Sequence, residues 1–475
     1  MDGMRNEKKM ATTTGKPNPY LEAWGELLAE RQEREPVWLR QLREESWQRF
    51  HATGFPTTHE EEWRFTNLAA LAKTPFQRAA RASVSACAIE KYRIAGGAAR
   101  LVFVNGRYAP ELSEARDLPD GIEFTPLAQV LLNNENQPSP ESIEQHLGRY
   151  ADATRDVFVA LNTAQWEDGA ALLVRCGATI EQPIHLLYVT AGEGASTMTH
   201  PRTLVVAEPR SRAAIVEDYV SLGEEAAFSN SVTEVVAGED AAISHYLVER
   251  ENRAAFNIST LRIEEARGAN VASHSILLGG GLVRNNVHPV LNGEGAECLI
   301  NGLFVGAGSQ HLDNFMLVEH AQPQCASRQF YNGILDDASR GVFHGRIVVE
   351  KDAQKTDAKQ TNRNLLLSDH ARIDTKPQLE IRADDVKCTH GATIGQIEEE
   401  QLFYLRTRGI GESEARNLLL YAFAAECLDR MSEPAVQEFA EALIRVRLAE
   451  MAANRATKSD GAAAVEESQN WEGVG

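Results

Sequence analysis

The sequence predicts a mainly β protein whose core is a parallel β-helix, flanked by an N-terminal helical region and a C-terminal helical domain. Two observations carry this reading. Residues 157–395 run as short apolar strands, among them 171–175, 184–189, 203–206, 214–217, 231–236, 242–248 and 260–264, and no helix-length amphipathic segment interrupts them. After Gln396 the apolar period changes from two to that of a helix. Few hairpin turns join the strands, which favours a solenoid of coils that bury their faces on one another; a β-sandwich is the alternative.

The turns between strands share a cue, an acidic or Gly residue just before a small or β-branched one: GEDAAI, ARGANV, GEGAEC, DDASRG, EKDAQK, SDHARI and ADDVKC. Taking Ala241, Ala269, Ala296, Ala338, Ala353, Ala371 and Val386 as markers gives spacings of about 27–28, then 42, then 15–18 residues, a loose period. Upstream, Leu21, Trp24, Leu27 and Leu28 mark one helix, and Trp38, Leu39 and Leu42 mark a second after Pro36. The segment GFPTTHEEEWRFTNL, 54–68, reads as a turn leading to a packed hairpin or helix start around Glu62-Trp63-Arg64. LVFVNGRY, 101–108, reads as a strand entering an Asn-Gly hairpin turn. Downstream, one helix spans about 398–408 with Gly409 as its C-terminal cap. A second is N-capped by Ser413 and carries Leu418, Leu419, Tyr421, Phe423 and Leu428. A third opens at Ser432-Pro434 with the stripe Val436, Phe439, Ala440, Leu443 and Val446. The expected organisation is a disordered tail at 1–18, a helical and mixed domain at 19–156, the β-helix at 157–396, the helical domain at 397–455 and a disordered tail at 456–475.

The chain has 475 residues and a formal net charge of −20, which argues against nucleic acid as a partner. Its six cysteines are scattered without a C-x-x-C pair, which points to a reducing cytoplasm and excludes four-cysteine zinc modules. The polar N-terminus has no signal-peptide core, and no run reaches the roughly 18 apolar residues of a membrane span. There is no G-x-x-x-x-G-K-[ST], G-x-S-x-G, H-E-x-x-H or strand-turn-helix G-x-G-x-x-G. Gly279-Gly280-Gly281 lies between strands and reads as a turn.

The stretch DDVKCTHGATIGQ, 384–396, carries the chemistry. Period two puts Val386, Cys388, His390, Ala392 and Ile394 on one strand face. Cys388 and His390 are then roughly 7 Å apart at the backbone, which suits two ligands of one soft or borderline metal. Two ligands do not complete a site, so others must come from elsewhere in the chain or from a partner. The bland alternative is an apolar interior holding a buried thiol. His311, His320, His344 and His370 lack ligand spacing and read as turn or face residues. Asp336, Asp337, Arg340 and Arg346 admit a carbohydrate-cleaving β-helix enzyme, although turn chemistry explains the two aspartates.

Residues 331–410, with GFPTTHEEEWRFTNL, LVFVNGRY and VFVALNTAQWEDGA at 157–170, resemble the SufB/SufD family of scaffold subunits in the SUF iron–sulfur cluster assembly machinery. KCTHGAT stands where SufB-like sequences carry an E-H-E-A-T-type motif, which favours the SufD branch. His344 departs from the family, where an amide is usual. The resemblance implies a right-handed β-helix and a non-enzymatic scaffold. It implies a heterodimer with SufB through the β-helix ends and a copy of the ATPase SufC on the C-terminal helices. A homodimer in the absence of the partner and a nearby flavin are left open. It also implies a transient iron–sulfur cluster at the SufB–SufD interface, with Cys388 and His390 as this chain's candidate ligands and Phe403, Tyr404 and Arg408 as partner-binding positions.

Overall fold

The computed structural model describes residues 19–31, 34–114, 118–132, 141–192 and 194–471. At its centre is a β-solenoid of about eight turns, each giving one strand to each of two sheets. One sheet runs through Gly169–Val174, Arg202–Ala207, Ala227–Ala237, Phe256–Glu265, Leu282–Leu291, His311–His320, Arg340–Val349 and Arg372–Ile381, parallel at every step. The other runs through Ile184–Thr190, Arg212–Ser221, Ala242–Arg250, Asn270–Leu277, Glu297–Gly306, Ala326–Leu335, Asp357–Leu366 and Lys387–Gly395, also parallel. The parallel β-helix expected from the strand pattern is therefore the architecture, and the sandwich is not.

The loose period has a structural cause. In the second sheet Ala242, Asn270, Glu297, Ala326, Asp357 and Lys387 are in register, so one coil takes between 27 and 31 residues. Each coil turns two corners, and the sequence markers mix them. Ala241, Ala269 and Ala296 stack at one corner, where the N–H groups of Asn270 and Glu297 donate to the carbonyls of Ala241 and Ala269 at 2.9 and 2.8 Å. Cys325 and Thr356 take the same place in the next two coils. Ala338 and Ala371 belong to the opposite corner. The acid or Gly of the cue sits in the left-handed region, as at Asp240 (φ 55°), Gly268 (φ 64°) and Asp337 (φ 55°), where short polar residues and glycine are tolerated.

The two ends of the solenoid differ. At the N-terminal end Ala99–Val104 pairs parallel with Ile184–Thr190, then turns through Asn105 (φ 52°) and Gly106 (φ 73°) into the antiparallel Arg107–Tyr108. Ile122–Pro126 closes the other sheet, antiparallel to Gly169–Val174. Strands of the N-terminal region thus join both sheets ahead of residue 157. At the C-terminal end Arg372–Ile381 and Lys387–Gly395 each have one paired edge and one free edge among the described residues.

Helices cover both outer faces. Pro19–Arg31, Val37–Thr53 and Val157–Gln165 pack an aromatic cluster onto the first sheet, with Phe158 against Phe228, Ile258 and Leu282. Asp156 caps the last of these helices by accepting the N–H groups of Phe158 and Val159. Glu61–Trp63 forms a 3₁₀ turn whose indole stacks on the buried Arg284 guanidinium, 3.9 Å from ring centroid to Cζ. Arg284 also donates to Asp313 at 2.6 Å, so the EEEWRF segment is a packed latch.

Glu412–Leu428 and Pro434–Trp471 pack on the second sheet through Leu420, Phe423, Cys427, Val436, Ala440 and Ile444. Two details of the predicted helices are corrected. Gly411, not Ser413, is the N-cap, because the helix begins two residues earlier than that cap implies, at Glu412. Leu418 and Val446 point outward, 46% and 59% exposed, because Leu420 and Ile444 take the buried positions. The last helix also continues past residue 456, where the sequence predicts a disordered tail; its alanines favour helix. Residues 1–18 and 472–475 lie outside the described residues.

The interior is partly polar. Glu265 is fully buried, with the Cys298 thiol beside its carboxyl. Burial pushes this carboxyl well above its ordinary value. It is therefore protonated in the folded chain at pH values where it is ionised in the unfolded one. Its contribution is complete below the ordinary carboxyl range and is lost as pH rises toward the folded value. As pH rises above the ordinary carboxyl range, Glu265→Gln should gain stability relative to wild type by up to about 1.4 kcal/mol per pH unit. Urea midpoints of both proteins at several pH values check this; a pH-independent difference would refute it.

Candidate functional site

Lys387–Gly395 is the last strand of its sheet, paired only with Asp357–Leu366. Register places Cys388 over Ala358, His390 over Gln360, Ala392 over Asn362 and Ile394 over Asn364. Those four lower residues are all buried inside the solenoid, while Lys359, Thr361 and Arg363 alternate outward. Cys388 and His390 therefore share the inward face of a coil that no further coil covers. The face read from period two is the observed one.

Because the stack stops here, inward residues that are buried in earlier coils become accessible. His390 is exposed, Cys388 is half-buried, and Ile381 and Ile394 are 43% and 52% exposed. Partial burial, the largest cause, raises the Cys388 thiol above its ordinary value, and the neighbouring Asp357 carboxylate adds to this. The N–H of Ala358 opposes it. Binding of a soft metal at Cys388 must displace that proton. Among the described residues no group of three or more His, Cys, Asp or Glu is arranged to hold a metal ion. The chain brings two candidate ligands to an open end without completing a set.

The other histidines and acids are engaged elsewhere. His311 bonds the Thr66 hydroxyl at 2.8 Å, and His320 bonds Ser327 at 2.8 Å inside the solenoid. His344 faces outward from the first sheet, bonding Gln378 at 2.8 Å and meeting the Phe315 ring edge-on. His370 lies in an exposed turn. Asp336 and Asp337 shape a corner, with Asp336 accepting the N–H of Asp337 and Asp337 accepting that of Gly308. Arg340 and Arg346 pair with Asp374 and Glu380 on the adjacent strand. Asp336 also pairs with Arg455 at 3.5 Å, so these charged groups are engaged within the fold. Gly279-Gly280-Gly281 is a corner turn, and the Gln310 amide donates to the carbonyls of Gly279 and Gly280.

The short helix Glu399–Thr407 follows the open end and buries none of its residues. Phe403 and Tyr404 are 67% and 56% exposed, and Arg408 lies over the Tyr404 ring, donating to its hydroxyl at 3.1 Å. Between the last two helices a groove of about 490 Å³ is lined by Asn417, Leu418, Tyr421, Arg445, Leu448 and Ala449. The sequence pointed to Phe403, Tyr404 and Arg408 but not to this groove. Its lining includes Leu418 and Tyr421, which a simple stripe assigns to the core.

The helices are tied to the sheet by polar as well as apolar contacts. Asn301 and Asn332, buried on the second sheet, donate to the carbonyls of Cys427 and Phe423 at 2.8 Å each. Arg447 donates to Gln310 at 2.8 Å, and Arg363 on the penultimate strand pairs with Glu426. No helix among the described residues is long and apolar enough to cross a membrane.

Comparison with known proteins agrees with this architecture. Residues 188–423 match the family described as SUF system FeS cluster assembly, SufBD core domain, and residues 18–186 match the SufBD protein N-terminal region. The chain is 35% identical to the iron–sulfur cluster assembly protein SufD of Escherichia coli, over 83% of this chain and 90% of that protein. It is 35% identical to an iron–sulfur cluster assembly SufBD family protein of Synechocystis, over 80% and 85%. SufD of Bacillus subtilis is 27% identical, over 87% and 93%. A β-solenoid clasped by helices, with a Cys–His pair on its last coil, thus carries the sequence of its relatives along almost its whole length: the chain belongs to the SufBD family of SUF-system iron–sulfur cluster assembly proteins, as a SufD-type member.

Proposed function

We propose that this chain is a non-enzymatic scaffold subunit of a cytoplasmic complex in which a SufB-type paralogue docks on the open end of the solenoid. A nascent iron–sulfur cluster is the cargo, held between Cys388, His390 and groups of the paralogue. One observation carries the reading: Cys388 and His390 share the uncovered inner face of the last coil, and among the described residues no third ligand joins them. A thiolate and an imidazole suit iron and its clusters. A free strand edge with exposed Ile381 and Ile394 suits a protein that continues the stack.

A SufC-type ATPase would occupy the C-terminal helices, where Phe403, Tyr404 and Arg408 and the groove beside Leu418 and Tyr421 are accessible. Hydrolysis belongs to that partner. Movement of the helices would reach the last coils through Arg363–Glu426 and the Asn332 bond to Phe423, and so open or close the interface.

The test is co-expression with SufB- and SufC-type partners, followed by anaerobic measurement of iron and sulfide in the purified complex. His390→Ala and Cys388→Ala are each expected to lower cluster content at least fivefold while the complex keeps its size. Clusters that persist in both variants would make this chain a structural adaptor without ligands.

A further inference from the structure

We propose that Gln360 is a positioning residue for His390: its carboxamide oxygen accepts the imidazole N–H and so decides which ring nitrogen stays free for metal. The inference rests on the reading of His390 as a ligand.

Gln329, Gln360 and His390 are successive in-register residues on the inner face of the last three strands of their sheet. In-register residues of neighbouring strands are about 4.8 Å apart. Both amides are buried, and Gln360 donates through Nε2 to Oε1 of Gln329 at 2.8 Å. The amide is also seated from the facing sheet. A Cβ on Gly345 would lie 2.0 Å from Gln360 Nε2, so glycine there leaves the space the amide occupies.

That arrangement consumes the donor side of Gln360 and leaves Oε1 buried without a partner. Buried polar atoms are nearly always paired, so an unpaired acceptor marks where a donor belongs. Gln329 already lies beneath, and the remaining in-register neighbour is His390. A neutral imidazole has one N–H donor and one acceptor nitrogen, and engaging the donor fixes the tautomer. Histidine ligands are commonly held this way, through the ring nitrogen that does not bind metal. An amide oxygen orients the ring without adding charge, which suits a cluster that must later leave.

The test uses the metal-free full chain with ¹⁵N-labelled histidine at pH 8.5, where imidazoles are neutral. The His390 signals are assigned by their loss in His390→Ala. Wild type is expected to show one dominant His390 tautomer in its ring ¹⁵N shifts. Gln360→Leu, which keeps the bulk but removes the acceptor, should relax the ring to the mixture of free imidazole. Gln360→Glu, which keeps an oxygen acceptor, should retain the wild-type tautomer. If Gln360→Leu does not fold, Gln360→Met, which also lacks the acceptor, takes its place. A free-imidazole mixture in wild type, or the wild-type tautomer unchanged in the variant that lacks the acceptor, overturns the proposal. The metal-free readout separates it from the ligand reading. Clusters that survive His390→Ala refute the ligand role alone, and an unbiased tautomer refutes the positioning role alone.

Discussion

Replacing Ile394 by aspartate is expected to weaken binding of a SufB-type partner about 30-fold or more, with little change in the stability of the free chain. Ile394 is 52% exposed on the uncovered inner face, so the carboxylate would remain hydrated in the isolated protein. On docking, that charge would lose its water without gaining a counter-ion, while the apolar contact is lost as well. A central apolar contact of this kind is worth about 2 kcal/mol or more, which is roughly 30-fold in the dissociation constant. Titration calorimetry against the purified partner reads the affinity, and urea unfolding of the free chain reads the stability. An unchanged affinity would place the contact somewhere other than the open end.

The second large effect is on stability. Arg202 and Glu234 form an ion pair that is 1% and 0% exposed. Glu234 also accepts the N–H groups of Gly148, Tyr150 and Ala151, at 2.8, 2.8 and 3.0 Å. Arg202 donates to Asn162 and Thr163 on the helix Val157–Gln165. The pair thereby fastens the N-terminal layer to the solenoid. Arg202→Ala leaves a buried carboxylate without its cation and is expected to cost about 3–5 kcal/mol. Adding Glu234→Gln removes the stranded charge, so the double variant should be more stable than Arg202→Ala alone. Urea unfolding of the four proteins of the cycle measures this. A cost below about 1 kcal/mol for Arg202→Ala would show that the pair is not a fastening.

Much of this was legible in the sequence for local reasons. Period two fixed the shared face of Cys388 and His390, and Asn105-Gly106 announced its hairpin because both residues accept positive φ. What depended on the coil length was not legible. Ala338 and Ala371 sit at a different corner from Ala241 and Ala269, so the spacing looked irregular and the column Gln329–Gln360–His390 stayed hidden. Once the coil is known, the column follows from steps of 31 and 30 residues. The outward turn of Leu418 and Val446 was hidden because it depends on which helix face the second sheet selects, and the sequence offered apolar residues on both.

The unequal ends of the solenoid give the molecule a direction. Antiparallel strands at 107–108 and 122–126 terminate the stack on one side, whereas Lys387–Gly395 presents a row of unpaired backbone groups on the other. A strand arriving there would be recognised first by its main chain, as the next rung of an existing ladder. Its side chains would then alternate toward and away from Cys388 and His390, and a slip of one residue would present the wrong set. If the proposed partner docks at this edge, pairing register would be part of the ligand set: the backbone would decide which of the partner's residues could share a cluster with this chain.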